Sequence, residues 1–202
     1  MSPEAAADGL LPRIEALPPG RRLVAVAGPP GGGKSTLAAA LVARMPGAAL
    51  VEMDGFHLDN PLLEARGLGA RKGAPETFDA DGFVAAIRRI RAGREVILPR
   101  FDRARDLAVA GARVVPARAR IVVVEGNYLL LRRAPWEELR RFFDLTVSVD
   151  PGLAELRARL VRRWLDHGLP EAEAVARAEG NDLANAAVIR AESAAADVTL
   201  PA

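Results

Sequence analysis

The chain has 202 residues, half of them hydrophobic, and its 28 lysines and arginines nearly balance 26 acids for a formal charge of +2. That balance is no signature of a nucleic-acid or membrane-surface binder, and the length suits one α/β domain, at most with a small lid. There is no cysteine, hence no disulfide framework and no thiolate metal site, and neither a basic-apolar leader nor a membrane-length apolar run is present, so the expected compartment is the cytoplasm.

Ser2-Pro3-Glu4 opens a short helix to about Leu17, with Leu10, Leu11, Ile14 and Leu17 at helical spacing, and Pro18-Pro19-Gly20 ends it. Leu23 to Ala27 has strand character and runs into Gly28-Pro29-Pro30-Gly31-Gly32-Gly33-Lys34-Ser35, which fits G-x-x-x-x-G-K-[ST]; the helix-favouring Thr36-Leu37-Ala38 follows at once. Strand, glycine loop and helix in that order form a P-loop. Gly31, Gly32 and Gly33 are expected to take positive φ, so that backbone N–H groups point inward and cradle phosphate at the positive end of a helix. In such a loop Gly28 opens the turn, Lys34 reaches the β and γ phosphates of ATP, Ser35 ligates Mg²⁺ and Thr36 lies beside the nucleotide.

A second strand, Ala48 to Met53, delivers Asp54-Gly55-Phe56-His57. A carboxylate at the C-terminal end of a parallel strand points into the ligand crevice, which makes Asp54 the candidate general base; a turn-forming Asp-Gly is the plainer alternative. His57 reads more readily as a packing residue, with substrate contact as the other possibility. Residues 60–75 are polar and glycine-rich and are expected to form a long binding loop without a stable element. Within it Lys72 stands out, because only Lys34 and Lys72 among the basic residues are lysine; coincidence is the alternative. Asparagine is also scarce, at Asn60, Asn127, Asn181 and Asn185.

From Asp79 a helix is expected with Phe83, Ile87 and Ile90 on its apolar face, and then a short strand, Val96 to Leu98. Pro99-Arg100-Phe101-Asp102-Arg103 is read as irregular; its acids and arginines either recognise a polar substrate or pair with each other. Leu107 to Val115, broken at Gly111, forms a hairpin or two edge strands. Ile121 to Val124 is a β-branched run typical of a strand buried on both faces. It ends at Glu125-Gly126-Asn127-Tyr128, where Glu125 takes the expected position of a Walker B acid, holding a metal-bound water or orienting substrate. Tyr128 either joins the pocket or is half-buried packing. A short helix from Pro135 and a strand, Leu145 to Val149, precede a long helix, Pro151 to Asp166. On it Arg159 and Arg163 share a face with Arg162 beside them, able to close over triphosphate; Glu155, four residues before Arg159, offers a simple ion pair instead. Gly168-Leu169-Pro170 breaks the chain before another helix, a further helix starts after Gly180, and Asp197 to Leu200 supplies a fifth strand. The alternation predicts a P-loop NTPase fold of three layers, doubly wound around a mostly parallel five-stranded sheet, as one domain over 1–202 with an N-terminal helix (1–20) and a helical lid at about 157–172.

Taken together, GPPGGGKST, VEMDGFHLDN, RKGAPETFD, PRFDRARD, VEGNYLLL, RLVRRWLDHG and NDLANA resemble the P-loop kinase group of uridine kinase, phosphoribulokinase and bacterial pantothenate kinase, and within it the small bacterial proteins named fructose transport system kinases. The resemblance implies that Asp54 is the catalytic base, that the Lys72–Asp79 segment, including Glu76, belongs to the active site, and that Glu125 and the arginines 159, 162 and 163 match the strand-end acid and the lid. It implies ATP and Mg²⁺, and a small-molecule acceptor, a sugar such as fructose, pantothenate or a nucleoside. The uridine-specific pattern after PRFD is missing. No nucleic-acid or membrane partner is expected, and the chain is expected as a monomer or homodimer. A nucleotide-dependent regulatory ATPase without a small acceptor is the reading of another class; N-K-x-D, the guanine-reading motif, is absent.

Overall fold

Along β1 (Arg22–Ala27) Leu23, Ala25 and Ala27 face one side of the central sheet and Val24 and Val26 the other, and both sides are covered. The computed structural model describes residues 2–201. In it α1 (Pro3–Glu15) precedes β1, and α2 (Lys34–Arg44), β2 (Ala49–Glu52), α3 (Asn60–Ala65) and α4 (Ala80–Arg91) follow. The antiparallel pair β3 (Val96–Asp102) and β4 (Leu107–Val115) comes next, and then β5 (Ile121–Gly126) and β6 (Leu145–Val149). Helices α5 (Leu153–Asp166), α6 (Glu171–Arg177) and α7 (Leu183–Glu192) lead to β7 (Val198–Leu200).

The sheet has the order β2-β5-β1-β6-β7, with every pairing parallel. Valines and leucines that alternate between two covered faces are what such a sheet demands. One face packs on α1 and α2 through Leu10, Ile14, Leu37 and Leu41; the other packs on α4 and on the segment from Tyr128 to Trp136. Each fully buried side chain of this size contributes about 1.5–3 kcal/mol. A third, small cluster, Leu156, Leu160, Ala178 and Ala186, belongs to α5–α7 alone. This architecture is the P-loop NTPase α/β fold.

Four expectations need correction. Residues 60–75 are not one open loop: they hold α3, started by Pro61 in its first turn, and two single 3-10 turns at Gly69–Arg71 and Pro75–Thr77. The irregular PRFD segment is strand, and β3 and β4 pair with each other, with a register shift between Leu98 and Arg100 that absorbs Pro99. Gly111, at φ 67, lets β4 continue as one bent strand. The helix expected to start after Gly180 is not separate from the one before it, because residues Ala178–Asp182 form a π turn that joins α6 to α7.

The β3–β4 hairpin covers the outer edge of β2, where Arg113 lies 2.6 Å from the Glu52 carboxylate and donates to the Leu50 carbonyl at 3.4 Å. β3 passes so close to residue 55 that a Cβ there would stand 2.5 Å from the Pro99 carbonyl oxygen. Only glycine fits.

Candidate active site

Three strand ends meet on one rim. β5 lies between β2 and β1 in a register that sets Glu52 opposite Glu125 and Val26 opposite Glu125. The residues that leave those strands, Asp54, Glu125 and the glycine loop, therefore share the crevice at the carboxyl edge of the sheet.

In the glycine loop Gly31 (φ 74) and Gly33 (φ 95) are left-handed, and Gly33 caps α2 with no side chain on its N–H groups. Those N–H groups point at the position a phosphate takes at a helix start. Gly32 has no positive φ, contrary to expectation; it is glycine because a Cβ would meet the Pro29 carbonyl oxygen at 2.9 Å. Gly28 is required for the same kind of reason, with Val149 O 2.5 Å from its would-be Cβ. Beside the loop, a cavity of about 280 Å³ is bounded by Gly33, Thr36, Val149, Arg159, Leu200 and Pro3. A larger one, about 480 Å³, lies behind the hairpin among Gly55, His57, Asp59, Leu98 and Gly111 and touches neither Asp54 nor the P-loop. The smaller cavity is the one next to the phosphate loop.

Ser35 donates to Glu125 Oε2 at 3.1 Å, and Glu125 is only 3% exposed. Burial pushes the Glu125 carboxyl above its ordinary range; the Lys34 ammonium and the Ser35 hydroxyl oppose the rise, and the Asp54 and Glu52 carboxylates add to it. A hydroxyl and one carboxylate suit Mg²⁺, which is held by one or two protein oxygens together with substrate phosphates. Among the described residues no cluster of three carboxylates or histidines would form a separate protein cage.

Asp54 sits in a 3-10 turn (Met53–Phe56), and its Oδ2 accepts from Arg103 Nη2 at 2.6 Å. The arginine is 70% exposed, so the pair contributes about 0–1 kcal/mol to stability. His57 is held by packing. Its ring lies 4.1 Å from Phe78 and 4.6 Å from Phe101, its Nδ1 is 2.8 Å from the Asp54 carbonyl, and burial lowers its pKa.

Lys72 is fully engaged. Its ammonium donates to Asn60 Oδ1 at 2.6 Å and to the Asp106 carbonyl at 2.9 Å, lies 2.9 Å from Asp106 Oδ2, and sits 5.3 Å from the Phe101 ring centre. It clasps the 60–73 segment to the hairpin tip. Burial alone would raise the Asp106 carboxyl, but the bonds from Asn60 and Lys72 outweigh it and hold the group below its usual range. Tyr128 is buried and donates to the Gly73 carbonyl at 2.6 Å, and burial drives its phenol pKa far upward. Its hydroxyl is thus committed to the chain rather than aimed at a ligand. Glu76 pairs with Arg71 at 3.1 Å on the surface, Arg100 is exposed on β3, and Asp102 turns back on the amides of residues 104 and 105. None of these three makes a hydrogen bond or ion pair to the Asp54 side chain.

The arginines of α5 are brought together less than their spacing suggests. Arg159 Nη1 lies 3.8 Å from the would-be Cβ of Gly33, beside the phosphate loop, while Nε donates to Glu155 at 2.8 Å. Arg162 is 76% exposed and pairs with Asp166; Arg163 reaches Asp182 at 3.1 Å and stacks over Trp164. Acids at matching positions hold both away from the loop.

Two asparagines stand beside residue 73. Asn181 donates to the Lys72 carbonyl at 2.8 Å. Asn185 is 1% exposed, and its Oδ1, like that of buried Asn127, has no hydrogen-bond partner. Unpaired buried carbonyls are costly unless something binds them. The scarcity of asparagine in the sequence was the available signal for these positions; their placement near residue 73 depends on the π turn.

Residues 23–198 match the model of the phosphoribulokinase/uridine kinase family. A crystal structure of a candidate fructose transport system kinase from Silicibacter sp. TM1040 is 52% identical and covers 100% of both chains with a TM-score of 0.89. A candidate uridine kinase of Schizosaccharomyces pombe is 36% identical over 89% of this chain and 83% of its own. A pantothenate kinase of Streptomyces coelicolor is 35% identical over 70% of this chain, which spans only 46% of that protein. A rim built from a P-loop, a strand-end carboxylate and a buried hydroxyl–carboxylate pair is thus found in a chain that belongs to the phosphoribulokinase/uridine kinase family of small-molecule kinases.

Proposed function

We propose that this kinase transfers the γ-phosphoryl group of ATP to a hydroxyl of a small, neutral, polyhydroxy metabolite, a sugar such as fructose being the first choice. The observation that carries the proposal is the common rim: Asp54, the Ser35–Glu125 pair and the P-loop stand at adjacent strand ends. The P-loop amides and Lys34 hold the triphosphate, and Arg159 approaches it from α5. Mg²⁺, when bound through Ser35 and Glu125 with the phosphates, supplies further neutralisation of charge. Asp54 takes the proton of the acceptor hydroxyl as its oxygen bonds to the γ-phosphorus and the bond to the bridging oxygen breaks, leaving ADP.

The charge pattern favours a neutral acceptor. Arg103 is paired with Asp54 and Lys72 with Asp106, so both cations of the hairpin tip are already matched by carboxylates. A carboxylate or phosphate on the acceptor would have to displace one of these acids to use either cation, whereas hydroxyls need no such exchange. The similarity to a candidate fructose transport system kinase agrees with a sugar. The similarity to pantothenate kinases makes pantothenate the second reading.

ADP release in Mg²⁺-ATP tests this against a panel of sugars, polyols, nucleosides, pantothenate, glycerate and ribulose 5-phosphate. A neutral polyol or sugar that stimulates the rate many-fold supports the proposal; stimulation by pantothenate or a phosphorylated sugar alone refutes the neutral-acceptor part. A flat panel with nucleotide-dependent capture of a protein would favour a regulatory ATPase.

A further inference from the structure

We infer that Arg103 is a positioning residue for the phosphotransfer, fixing one oxygen of the Asp54 carboxylate so that the other is presented to the acceptor hydroxyl. The inference rests on the reading of Asp54 as the proton acceptor. Among the described residues Arg103 is the one side-chain partner of that carboxylate, at 2.6 Å from Oδ2.

The hairpin tip is constructed to deliver this side chain. Ahead of Arg103, Asp102 Oδ1 accepts from the amides of Ala104 and Arg105, each at 3.1 Å, and closes the turn. Behind it, Asp106 takes φ 52 and is the one non-glycine residue with positive φ among those described. That conformation is unfavourable for an aspartate without local support. Support comes from Asn60, which donates to Asp106 Oδ2 at 2.9 Å, and from Lys72, which holds both the carbonyl and the carboxylate. At the base of the tip, Phe101 lies against His57, whose Nδ1 is 2.8 Å from the Asp54 carbonyl oxygen. The tip and the Asp54 turn are thereby tied at two points, one through rings and one through the ion pair.

Burial does not explain so many ties, because residues 103–106 are exposed. Nor does the ion pair serve chiefly for stability, as the guanidinium is largely solvated. What it does fix is direction. The terminal torsion of an aspartate is broad and roughly two-fold, so an unpartnered carboxylate would sample many orientations. A guanidinium on Oδ2 removes that freedom and leaves Oδ1 for the incoming proton, the kind of orientation whose loss costs up to about a hundredfold in rate.

The test compares wild type with Arg103→Ala, Arg103→Lys, Asp54→Asn and, as a control on the same tip, Arg105→Ala. Mg²⁺-ATP turnover is read both with a stimulating acceptor and with water alone, so the comparison stands even where no acceptor has been identified. Arg103→Ala is expected to lower kcat about 10- to 100-fold while KM for ATP and for the acceptor moves much less. Arg103→Lys should recover part of the rate. Guanidinium chloride, at concentrations too low to denature, should restore Arg103→Ala but not Asp54→Asn, and sodium chloride of equal ionic strength should restore neither. Arg105→Ala should behave as wild type. Turnover of Arg103→Ala within about twofold of wild type overturns the inference, and so does a loss that guanidinium fails to relieve or that sodium chloride relieves equally. If Asp54→Asn keeps its rate, it is the assignment of the base that fails; if Asp54→Asn is inactive and Arg103→Ala is not, the assignment stands and Arg103 is dispensable.

Discussion

Glu125 is a carboxyl that the fold holds in its protonated form more than water would, and the sign of the consequence follows. Its folded pKa lies above the ordinary 4.5, so the burial cost of the charge is absent at and below that pH and grows as pH rises through the raised value. Nucleotide-free Glu125→Gln is therefore expected to melt higher than wild type at pH 8 and close to it near pH 4.5, by differential scanning fluorimetry. With Mg²⁺-ATP added the ranking at pH 8 should reverse, because the ionised carboxylate then has a partner and the amide does not. Asp54 gives the complementary result: Asp54→Asn should reduce turnover about 10²- to 10⁴-fold, as loss of a general base does, with the ATP-induced rise in melting temperature retained. If Asp54→Asn turned over normally and Glu125→Gln did not, the two roles would be exchanged. Both acids were legible as strand-end carboxylates. The Ser35 partner of Glu125 was legible through the metal that both were expected to serve, but the Arg103 partner of Asp54 was not, because it reaches it from 49 residues away along the chain.

The segment from Gly69 to Asp79 is shaped by hydrogen bonds from other elements. Tyr128 reaches the Gly73 carbonyl, Asn181 the Lys72 carbonyl, and Thr77 Oγ1 accepts from the Gly73 amide at 2.9 Å. Tyr128→Phe leaves the Gly73 carbonyl without its donor and is expected to destabilise the protein by about 1–2 kcal/mol. It should also raise the acceptor KM with little change in ATP affinity, measured by denaturant melts and initial rates. Unchanged stability would mean that the bond is not maintained in solution. Here the sequence was a poorer guide. Strands β1, β5 and β6 announce themselves because both their faces are apolar, whereas β3 and β4 carry exposed Ile97 and Val114 and are interrupted by Pro99 and Gly111, which mask a period-2 pattern. Helix α3 is six residues long and begins within Asp59-Asn60-Pro61, which reads equally as a turn. The π turn at Ala178–Asp182 adds a residue to the helical period, which no spacing rule anticipates.

Across the whole molecule the apolar residues divide into two large clusters that sandwich the sheet and a small one confined to α5–α7. The small cluster meets the glycine loop mainly through Leu160, whose Cδ2 stands 3.0 Å from a would-be Cβ on Gly31. Few buried contacts and many solvated arginine–acid pairs mark a region of low local stability. Hydrogen exchange should therefore be faster in α5 and α6 than in β1 and β5, and Mg²⁺-ATP should slow it there first; equal protection without nucleotide would contradict a movable lid. Leu160→Ala should widen the difference. The division was foreseeable in part, since six of the 14 residues of α5 are charged, but its contact with the P-loop belongs to three dimensions only. The clasp at the hairpin tip has a further chemical consequence. The chain contains two lysines, one in the phosphate loop and one in that clasp, so its side-chain amines stand at two places only. An acylating reagent becomes a two-channel reporter: the yield at Lys34 reads occupancy by nucleotide, and the yield at Lys72, whose side chain is 15% exposed, counts how often the hairpin lets go.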